Sequence, residues 1–329
     1  MSKTGGRLRS SDVIAGLLSR RIVFVTGKGG TGKTTITAAL ALLGAWAGKR
    51  VLCIDANVKG DLPRLLGSAA VGFKPREVQP GVSLLTLTPE ESLQEYMAIY
   101  FKIPRFVRLT PLARLFDFVA AGVPGTRELL IIGKIAYEER RAESGRPAWD
   151  LIIVDGSATG GVVPQLSAAR SIMDLSRGGM IQSQAEWVDK TLIDPRRTAL
   201  TICALPQEMP VAEAIELHER VRAETRVTLG ACFLNRTFPV AVTRPQTAVM
   251  AQLAAGDATA ATARLGGEIV PIVEAARIAE RLHRASVNYA RILRARMNVP
   301  LVEIPLDADA QPGLSLARAV ATALGGVTR

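Results

Sequence analysis

One stretch of the sequence combines residue types that bind phosphate, and it lies between an apolar run and a helical pattern. The stretch is VTGKGGTGKTT, residues 25–35, and it holds two lysines, four glycines and no acidic residue. Glycines let several backbone N–H groups turn inward around phosphate oxygens, and a helix that starts there adds the positive end of its dipole. The spacing G-x-x-x-x-G-K-[ST] therefore predicts a phosphate-binding loop for a nucleotide.

The residue types in this loop predict separate roles in binding ATP and Mg²⁺. Lys33 should reach the β- and γ-phosphates, and the Thr34 hydroxyl should complete the coordination shell of Mg²⁺. The residues expected to contact the nucleotide are Gly27, Gly29, Gly30, Thr31, Gly32, Lys33, Thr34 and Thr35.

Lys28 is a second lysine in the same loop. Because Lys33 already supplies the cation of the loop and the turn is tight, Lys28 cannot easily fold back onto the same phosphates. We expect Lys28 to project outward, toward a γ-phosphate that a facing subunit holds. A cation supplied in this way acts as an arginine finger does, an effect of about 10³ to 10⁵ in rate. The sequence therefore predicts catalytic roles for Lys33 within one chain and for Lys28 across a dimer.

Short apolar runs alternate with helical patterns along the chain. The runs are RIVFVTG, RVLCIDA, DLIIVDG, RTALTICALP and VTLGACFLNR, and VPLVEIPLD has the pattern of a last strand. This alternation predicts an α/β fold of the P-loop NTPase type with a mostly parallel, doubly wound sheet. In such sheets ligands bind beyond the carboxyl ends of the strands. Gly27, Asp55, Asp155 and Asn235 all lie at such ends.

We assign residues 1–20 to an N-terminal tail and residues 21–329 to a single ATPase domain. A segment at about residues 90–146 interrupts the alternation, and its lack of a strong strand signal predicts an inserted helical subdomain. Six aromatic residues lie close together in it: Tyr96, Tyr100, Phe101, Phe106, Phe116 and Phe118. These side chains either pack on one another inside the insertion or form an exposed apolar face for a client protein.

Composition and charge narrow the classes of partner. The net charge of +11 suggests nucleic acid or acidic lipid as partners. The basic residues are scattered along the chain, however, which favours a generally basic surface over a nucleic-acid site. The sequence has neither an apolar run long enough to span a bilayer nor the start of a secretion signal, so we expect a cytoplasmic protein without stable membrane insertion. His218 and His283 lie on charged helical patterns and are expected at the surface.

Cysteine placement excludes several kinds of site. Cys53, Cys203 and Cys232 lie in separate apolar runs without a CxxC pair, so we expect buried free thiols. The same placement provides neither the CxxC pair of a cysteine zinc site nor the clustered thiolates that a soft ion would need.

With these motifs in view, the chain resembles the deviant Walker A ATPases, and within them the ArsA family of arsenite-pump ATPases and tail-anchored-protein targeting factors. The segments that carry the resemblance are GKGGTGKTT, VDGSATGG (residues 154–161), PGTRELLIIGKI, LIDPRRTALTICALPQEMPVAEA, FLNR and VPLVEIPLD. Together they cover nearly the whole chain, and the resemblance is greatest to the shorter bacterial members that occur as paired paralogues.

The resemblance implies a dimer that clamps two ATP molecules between its subunits and changes shape with the nucleotide. By position, Asp155 would hold Mg²⁺ through water as part of switch II, and the expected metal site combines it with Thr34 and Asp55. The dimer would contain either two copies of this chain or this chain and a paralogue, with the heterodimer slightly favoured.

The resemblance also implies an adenine site. By position, Asn235 would contact the base, helped by Arg236 and by the loops around Pro206 and Pro305. An asparagine at a strand end can donate and accept hydrogen bonds together, which suits a purine edge. Taken alone, Asn235 is equally typical of a turn.

Switch I departs from the family pattern. Relatives place an aspartate that orients the attacking water either two or seven residues beyond the acid at the strand end, and this chain has Asn57 and Leu62 there. Asp61 falls one residue short and takes the catalytic role only if the register of the loop slips by one. Asparagine cannot accept a proton as a carboxylate does, so slow hydrolysis or a division of labour with a paralogue is expected.

Three functions of different classes follow from the sequence. The first is an ATP-dependent dimeric switch that binds an apolar client through residues 90–146. The second is a ParA- or MinD-like positioning ATPase acting on DNA or membrane, which the basic charge favours and the family segments do not. The third is an iron–sulfur reductase of the nitrogenase iron-protein kind, which would need two cluster cysteines per subunit at the dimer face.

Overall fold

The computed structural model describes residues 9–56, 60–100, 126–175, 179–240 and 269–325, together with residues 243, 245, 246, 248 and 263. In this part of the chain the strands are β1 (Ile22–Gly27), β2 (Val51–Asp55), β3 (Arg76–Gln79), β4 (Val82–Thr86), β5 (Ala142–Glu143), β6 (Arg146–Pro147), β7 (Leu151–Ala158), β8 (Thr198–Ala204), β9 (Leu229–Thr237) and β10 (Leu301–Pro305). The helices are α1 (Ser10–Leu18), α2 (Lys33–Trp46), α3 (Leu62–Leu65), α4 (Pro89–Tyr100), α5 (Thr126–Arg140), α6 (Thr159–Leu175), α7 (Gly179–Ile193), α8 (Glu208–Glu224), α9 (Ile269–Arg296) and α10 (Leu314–Gly325).

Eight strands form one sheet in the order β10-β9-β8-β1-β7-β2-β4-β3. All neighbours are parallel except β3 and β4, which form an antiparallel hairpin at one edge. Strands β5 and β6 form a separate short hairpin. The predicted α/β fold with a mostly parallel sheet is confirmed, and the edge hairpin is an addition that the sequence analysis did not predict.

Helices cover both faces of the sheet, as the doubly wound arrangement requires. On one face α1, α2, α3 and α10 pack on the sheet, and on the other face α5 to α9 do so, each group around its own apolar cluster. All six residues of β1 are buried. A central parallel strand that is covered on both faces is apolar at most positions, which explains the long apolar runs in the sequence.

Part of the segment assigned to an N-terminal tail is folded onto the sheet. Helix α1 buries Val13, Ile14, Leu17 and Leu18 in the cluster that it shares with α2 and α10. These positions recur every three to four residues, the spacing of an amphipathic helix. We therefore place α1 with the ATPase domain, while residues 1–8 lie outside the described residues.

The structure describes the two ends of the segment at residues 90–146. Helix α4 begins with Thr88 as N-cap: the backbone N–H of Glu91 donates to Oγ1 of Thr88 at 3.2 Å, and that hydroxyl donates to the Glu91 carboxylate at 2.9 Å. Helix α5 packs on α4 and leads into the β5–β6 hairpin. Four of the six clustered aromatic residues, Phe101, Phe106, Phe116 and Phe118, lie outside the described residues.

The cysteines and histidines differ in how well their burial was predicted. All three cysteines are buried free thiols, as expected, and burial raises the pKa of the Cys232 thiol to about 12. The prediction that His218 lies at the surface is wrong, because His218 falls on the apolar stripe of α8 and is 2% exposed. His283 is partly buried, with Nδ1 2.8 Å from the carbonyl oxygen of Phe238.

Candidate functional site

The carboxyl ends of the parallel strands bring the predicted site residues to one edge of the sheet. In the order of the strands, this edge carries Pro305, Asn235 with Arg236, Pro206 in the loop after β8, the loop that begins at Gly27, Asp155 and Asp55. The edge lies in the region where open α/β sheets bind ligands.

The loop between β1 and α2 has the backbone shape of an anion cradle. At Gly27 an added Cβ would lie 2.2 Å from the carbonyl oxygen of Cys203, so the neighbouring strand β8 excludes every other residue. Gly30 and Gly32 have φ angles of +83° and +89°, in the left-handed region that favours glycine. Helix α2 begins directly after Gly32, so the unpaired N–H groups of its first turn continue the loop.

Lys33 lies over the loop that it is predicted to serve. Its Nζ donates to the carbonyl oxygen of Lys28 at 3.2 Å, and the Thr31 hydroxyl donates to the same oxygen at 2.8 Å. The ammonium group is therefore held at the loop by a neutral acceptor. A phosphate oxygen is a stronger partner for an ammonium than a neutral carbonyl, because hydrogen bonds between charged groups are the stronger ones.

Hydroxyl and carboxylate oxygens converge beside the loop. The Thr34 hydroxyl donates to Asp155 at 2.8 Å, and the Thr37 hydroxyl, one turn further along α2, donates to the other oxygen of this carboxylate at 3.5 Å. Asp155 is fully buried, and Asp55 is its direct partner in the pairing of β2 with β7. Such hard oxygen donors suit Mg²⁺. The sequence analysis missed Thr37, whose spacing from Thr34 on a helix was the available signal.

Asn235 is used inside the chain. Its Nδ2 donates to the carbonyl oxygen of Thr31 at 2.9 Å, and its Oδ1 accepts from the backbone N–H of Arg236 at 2.9 Å. A Cβ on Gly32 would lie 2.2 Å from this Nδ2, so the glycine makes room for the amide. The structure thus places Asn235 as a brace between β9 and the phosphate loop, a role that the sequence analysis did not predict.

The neighbours of Asn235 form the rest of the predicted adenine edge. Arg236 has a φ angle of +55°, a left-handed conformation that is unusual for a residue with a side chain. The pairing of β9 with β10 shifts at this level, and Pro305 lies opposite Thr237. Backbone strain of this kind costs about 1–3 kcal/mol and clusters at functional sites.

Comparison with known proteins decides the family. The family model described as "Anion-transporting ATPase" matches residues 20–177, which contain the phosphate loop, Asp55 and Asp155. The chain belongs to the ArsA ATPase family. It is 29% identical over 304 residues to the ATPase BagA of Mycobacterium tuberculosis, covering 88% of each chain.

Two named pump ATPases are also similar. The chain is 27% identical over 217 residues to the arsenical pump-driving ATPase of Escherichia coli, which covers 61% of this chain and 37% of that one. It is 37% identical over 78 residues to the arsenical pump-driving ATPase of Acidiphilium multivorum, which covers 23% of this chain and 13% of that one. Within the described part of this ArsA-family ATPase, every helix is too short or too polar to cross a membrane.

The sequence analysis expected Lys28 to project outward. In the single chain of this ArsA-family ATPase, Lys28 instead lies against its own fold. Its Nζ forms an ion pair with Glu213 on α8. The other oxygen of Glu213 lies 3.5 Å from the hydroxyl of Thr159, which follows β7. An ammonium group pairs with a carboxylate within reach, and only the fold brings residues 28 and 213 together. Sequence analysis therefore missed Glu213, although it lies in a quoted family segment.

The predicted catalytic aspartate of this ArsA-family ATPase lies at the surface. Asp61 directly precedes α3, its side chain is 67% exposed, and its carboxylate accepts from Nε of Arg64 at 3.3 Å. Leu62 is fully buried, and Asn57 lies outside the described residues. In this conformation Asp61 is a surface ion-pair partner, so a catalytic role requires switch I to rearrange.

Proposed function

We propose that this ArsA-family ATPase is a Mg²⁺-dependent dimeric switch that closes on ATP. Each chain holds the phosphates with Lys33 and supplies Lys28 to the γ-phosphate on the facing chain. The observation that carries the proposal is the separation of the two lysines. Nζ of Lys33 lies on the phosphate loop, whereas Nζ of Lys28 is held at α8 by a carboxylate.

The oxygen donors beside the loop support the metal part of the proposal. Thr34, Asp55 and Asp155 would hold Mg²⁺, which neutralises charge on the phosphate oxygens when it is bound. Thr34 and Thr37 orient the Asp155 carboxylate before any ligand arrives, because both hydroxyls donate to it. Burial of Asp155 keeps water from competing for these bonds.

The proposed edge for the nucleobase lies beside the phosphates. Asn235 and Arg236 lie near the end of β9, Pro305 ends the neighbouring strand β10, and Pro206 lies in the loop after β8. Asn235 would keep its bond to the phosphate loop while the base packs against the adjacent backbone. Binding of the base and shaping of the loop are then linked through one side chain.

Hydrolysis is proposed to be slow. The two positions at which relatives place a water-orienting aspartate carry Asn57 and Leu62 here, and Asp61 is paired with Arg64 at the surface. Asp61 can take part only after it leaves this pair and switch I moves. A heterodimer with a paralogue that supplies the missing carboxylate would separate ATP binding from ATP cleavage between the two chains.

An apolar client or partner is proposed to bind the segment at residues 90–146. Its clustered aromatic residues support this, and Ile99 at the end of α4 is 41% exposed. Removal of residues 101–125 with a short glycine linker keeps α5 and Glu139 in the chain, so it should spare ATP binding and abolish client capture. An unchanged set of co-purifying proteins would contradict the client proposal.

The experiment that tests the nucleotide site compares two lysine substitutions. Lys33→Ala should abolish binding of a fluorescent ATP analogue, whereas Lys28→Ala should retain binding and lose turnover by about 10³-fold or more, because it removes only the trans cation. Lys190→Ala, at an exposed position of α7, is the control. Native turnover of Lys28→Ala would contradict the role of this lysine.

The net charge of +11 favours a second candidate, a positioning ATPase that acts on DNA or an anionic membrane. Its binding would weaken steeply with salt, because association with a polyanion releases counterions. A salt-sensitive shift of duplex DNA in the presence of ATP would support this candidate over the client-binding switch. Co-purification of the native protein would identify a paralogue or client directly.

A further inference from the structure

One carboxylate joins two loops of the nucleotide site. Glu213 lies in the second turn of α8, where it pairs with the Lys28 ammonium through one oxygen and approaches the Thr159 hydroxyl with the other. Lys28 follows β1, and Thr159 follows β7 only four residues after Asp155. These two strands are neighbours in the sheet. Glu213 therefore contacts both the phosphate loop and the segment that follows the metal-site aspartate.

The ion pair between Glu213 and Lys28 is weak enough for a phosphate to replace the carboxylate as the partner of the lysine. The side chains of Lys28 and Glu213 are 34% and 27% exposed, so water screens the pair and limits its strength. A triphosphate carries more negative charge than one carboxylate, and it competes well for the same ammonium once a facing chain presents it. The Thr159 hydroxyl is at the outer limit of hydrogen-bond distance and adds little resistance.

We propose that Glu213 is a positioning residue that holds Lys28 back in the open chain and releases it when ATP closes the dimer. This inference rests on the proposed function, because it needs Lys28 to act on the facing nucleotide. Release of Lys28 also leaves the carboxylate facing the Thr159 hydroxyl without a competing ammonium, which links closure to the segment after Asp155. The pair thus makes closure depend on nucleotide.

Glu213→Gln tests the proposal because it keeps the shape of the side chain and removes its charge. A conformation that must be released before closure reduces apparent affinity. The ATP concentration for half-maximal hydrolysis should therefore fall about threefold or more, with kcat within about twofold of the native value. Glu216→Gln, at an exposed position on the same helix, is the matched control and should change neither. An unchanged or higher half-saturating concentration in Glu213→Gln would overturn the proposal.

A double variant separates this role from a structural one. The affinity for a fluorescent ATP analogue is measured in both backgrounds. Glu213→Gln should raise it about threefold or more in the native background. In a Lys28→Ala background it should leave the affinity unchanged, because the partner of the carboxylate is already gone. Equal shifts in both backgrounds, or a lowered melting temperature that accounts for the effect, would overturn the proposal. If the native chain fails to bind ATP at all, the proposed function itself fails, which is a different result.

Discussion

Asn235 couples the end of β9 to the phosphate loop. Its bond to the Thr31 carbonyl is buried and its bond from the Arg236 N–H is partly buried, and truncation would remove the partner of each group. A buried polar group without a partner costs about 1–3 kcal/mol. The position of this side chain against Gly32 shows why the loop needs glycine there.

Asn235→Ala should therefore weaken ATP binding as well as stability. We expect the dissociation constant for ATP to rise about tenfold, equivalent to about 1.4 kcal/mol. Titration with a fluorescent ATP analogue measures it. Asn288→Ala is the control, because Asn288 is exposed on α9 and accepts from Arg291 on the same helix. An affinity equal to that of the native chain would show that Asn235 does not shape the loop.

His218 predicts a pH dependence of stability. Burial lowers the pKa of His218 below its usual value, and the nearby Arg222 lowers it further. The unfolded chain then binds a proton at a higher pH than the folded one, so the contribution of this histidine to stability is complete above about pH 6.5 and is lost as the pH falls below that. The free energy of unfolding should thus fall between pH 7.5 and pH 5.5. Urea denaturation at these two values should show a smaller fall for His218→Gln, and an equal fall in both proteins would contradict the assignment.

At the scale of the elements, α5 is fixed to the amino-terminal end of the sheet by a charge network. Glu139 is buried and pairs with Arg21, at 3.2 Å, and with Arg197. These arginines directly precede β1 and β8, so one carboxylate ties the insertion to two neighbouring strands.

Glu139→Ala should destabilise the fold strongly, since it leaves two arginines without their shared partner. We expect the free energy of unfolding to fall by about 3 kcal/mol. Chemical denaturation measures the loss. Asp150→Ala is the comparison, because Asp150 pairs with Arg50 at an exposed position and its substitution should cost much less at pH 7. Similar losses in the two variants would contradict the structural role of Glu139.

The elements differ in how far the sequence alone could predict them. Strands β1, β2, β7 and β8 were predicted because burial on both faces leaves uninterrupted apolar runs. The β3–β4 hairpin was missed because β3, REVQ, lies at the sheet edge and carries polar residues. Helix α1 was missed because it is short and close to the chain terminus.

The same contrast holds within the candidate site. The phosphate loop could be predicted because its glycines, lysine and threonine are adjacent in sequence, and local spacing determines its shape. Glu213 could not, because its pairing with Lys28 depends on how α8 packs beside β1. His218 could have been predicted as buried, since it continues the spacing of Val211, Ala214 and Val221 along α8.

At the scale of the whole molecule, the central claim is that each chain completes the nucleotide site of another. The single chain supports this by keeping the Lys28 ammonium on α8, apart from the loop that Lys33 serves. If the nucleotide site is complete only where two chains meet, ATP hydrolysis occurs only after the chains have associated. The chain then behaves as a switch because nucleotide binding and association depend on each other.

Mixing two inactive variants tests this claim most directly. Lys28→Ala retains ATP but lacks the trans cation, and Lys33→Ala lacks ATP but still offers Lys28. If subunits pair at random, half of the dimers are mixed and each has one complete site, so the mixture should regain about a quarter of native ATPase activity per chain. The same design applies with a paralogue as the second subunit. A mixture as inactive as its two components, although the native protein hydrolyses ATP under the same conditions, would contradict the account.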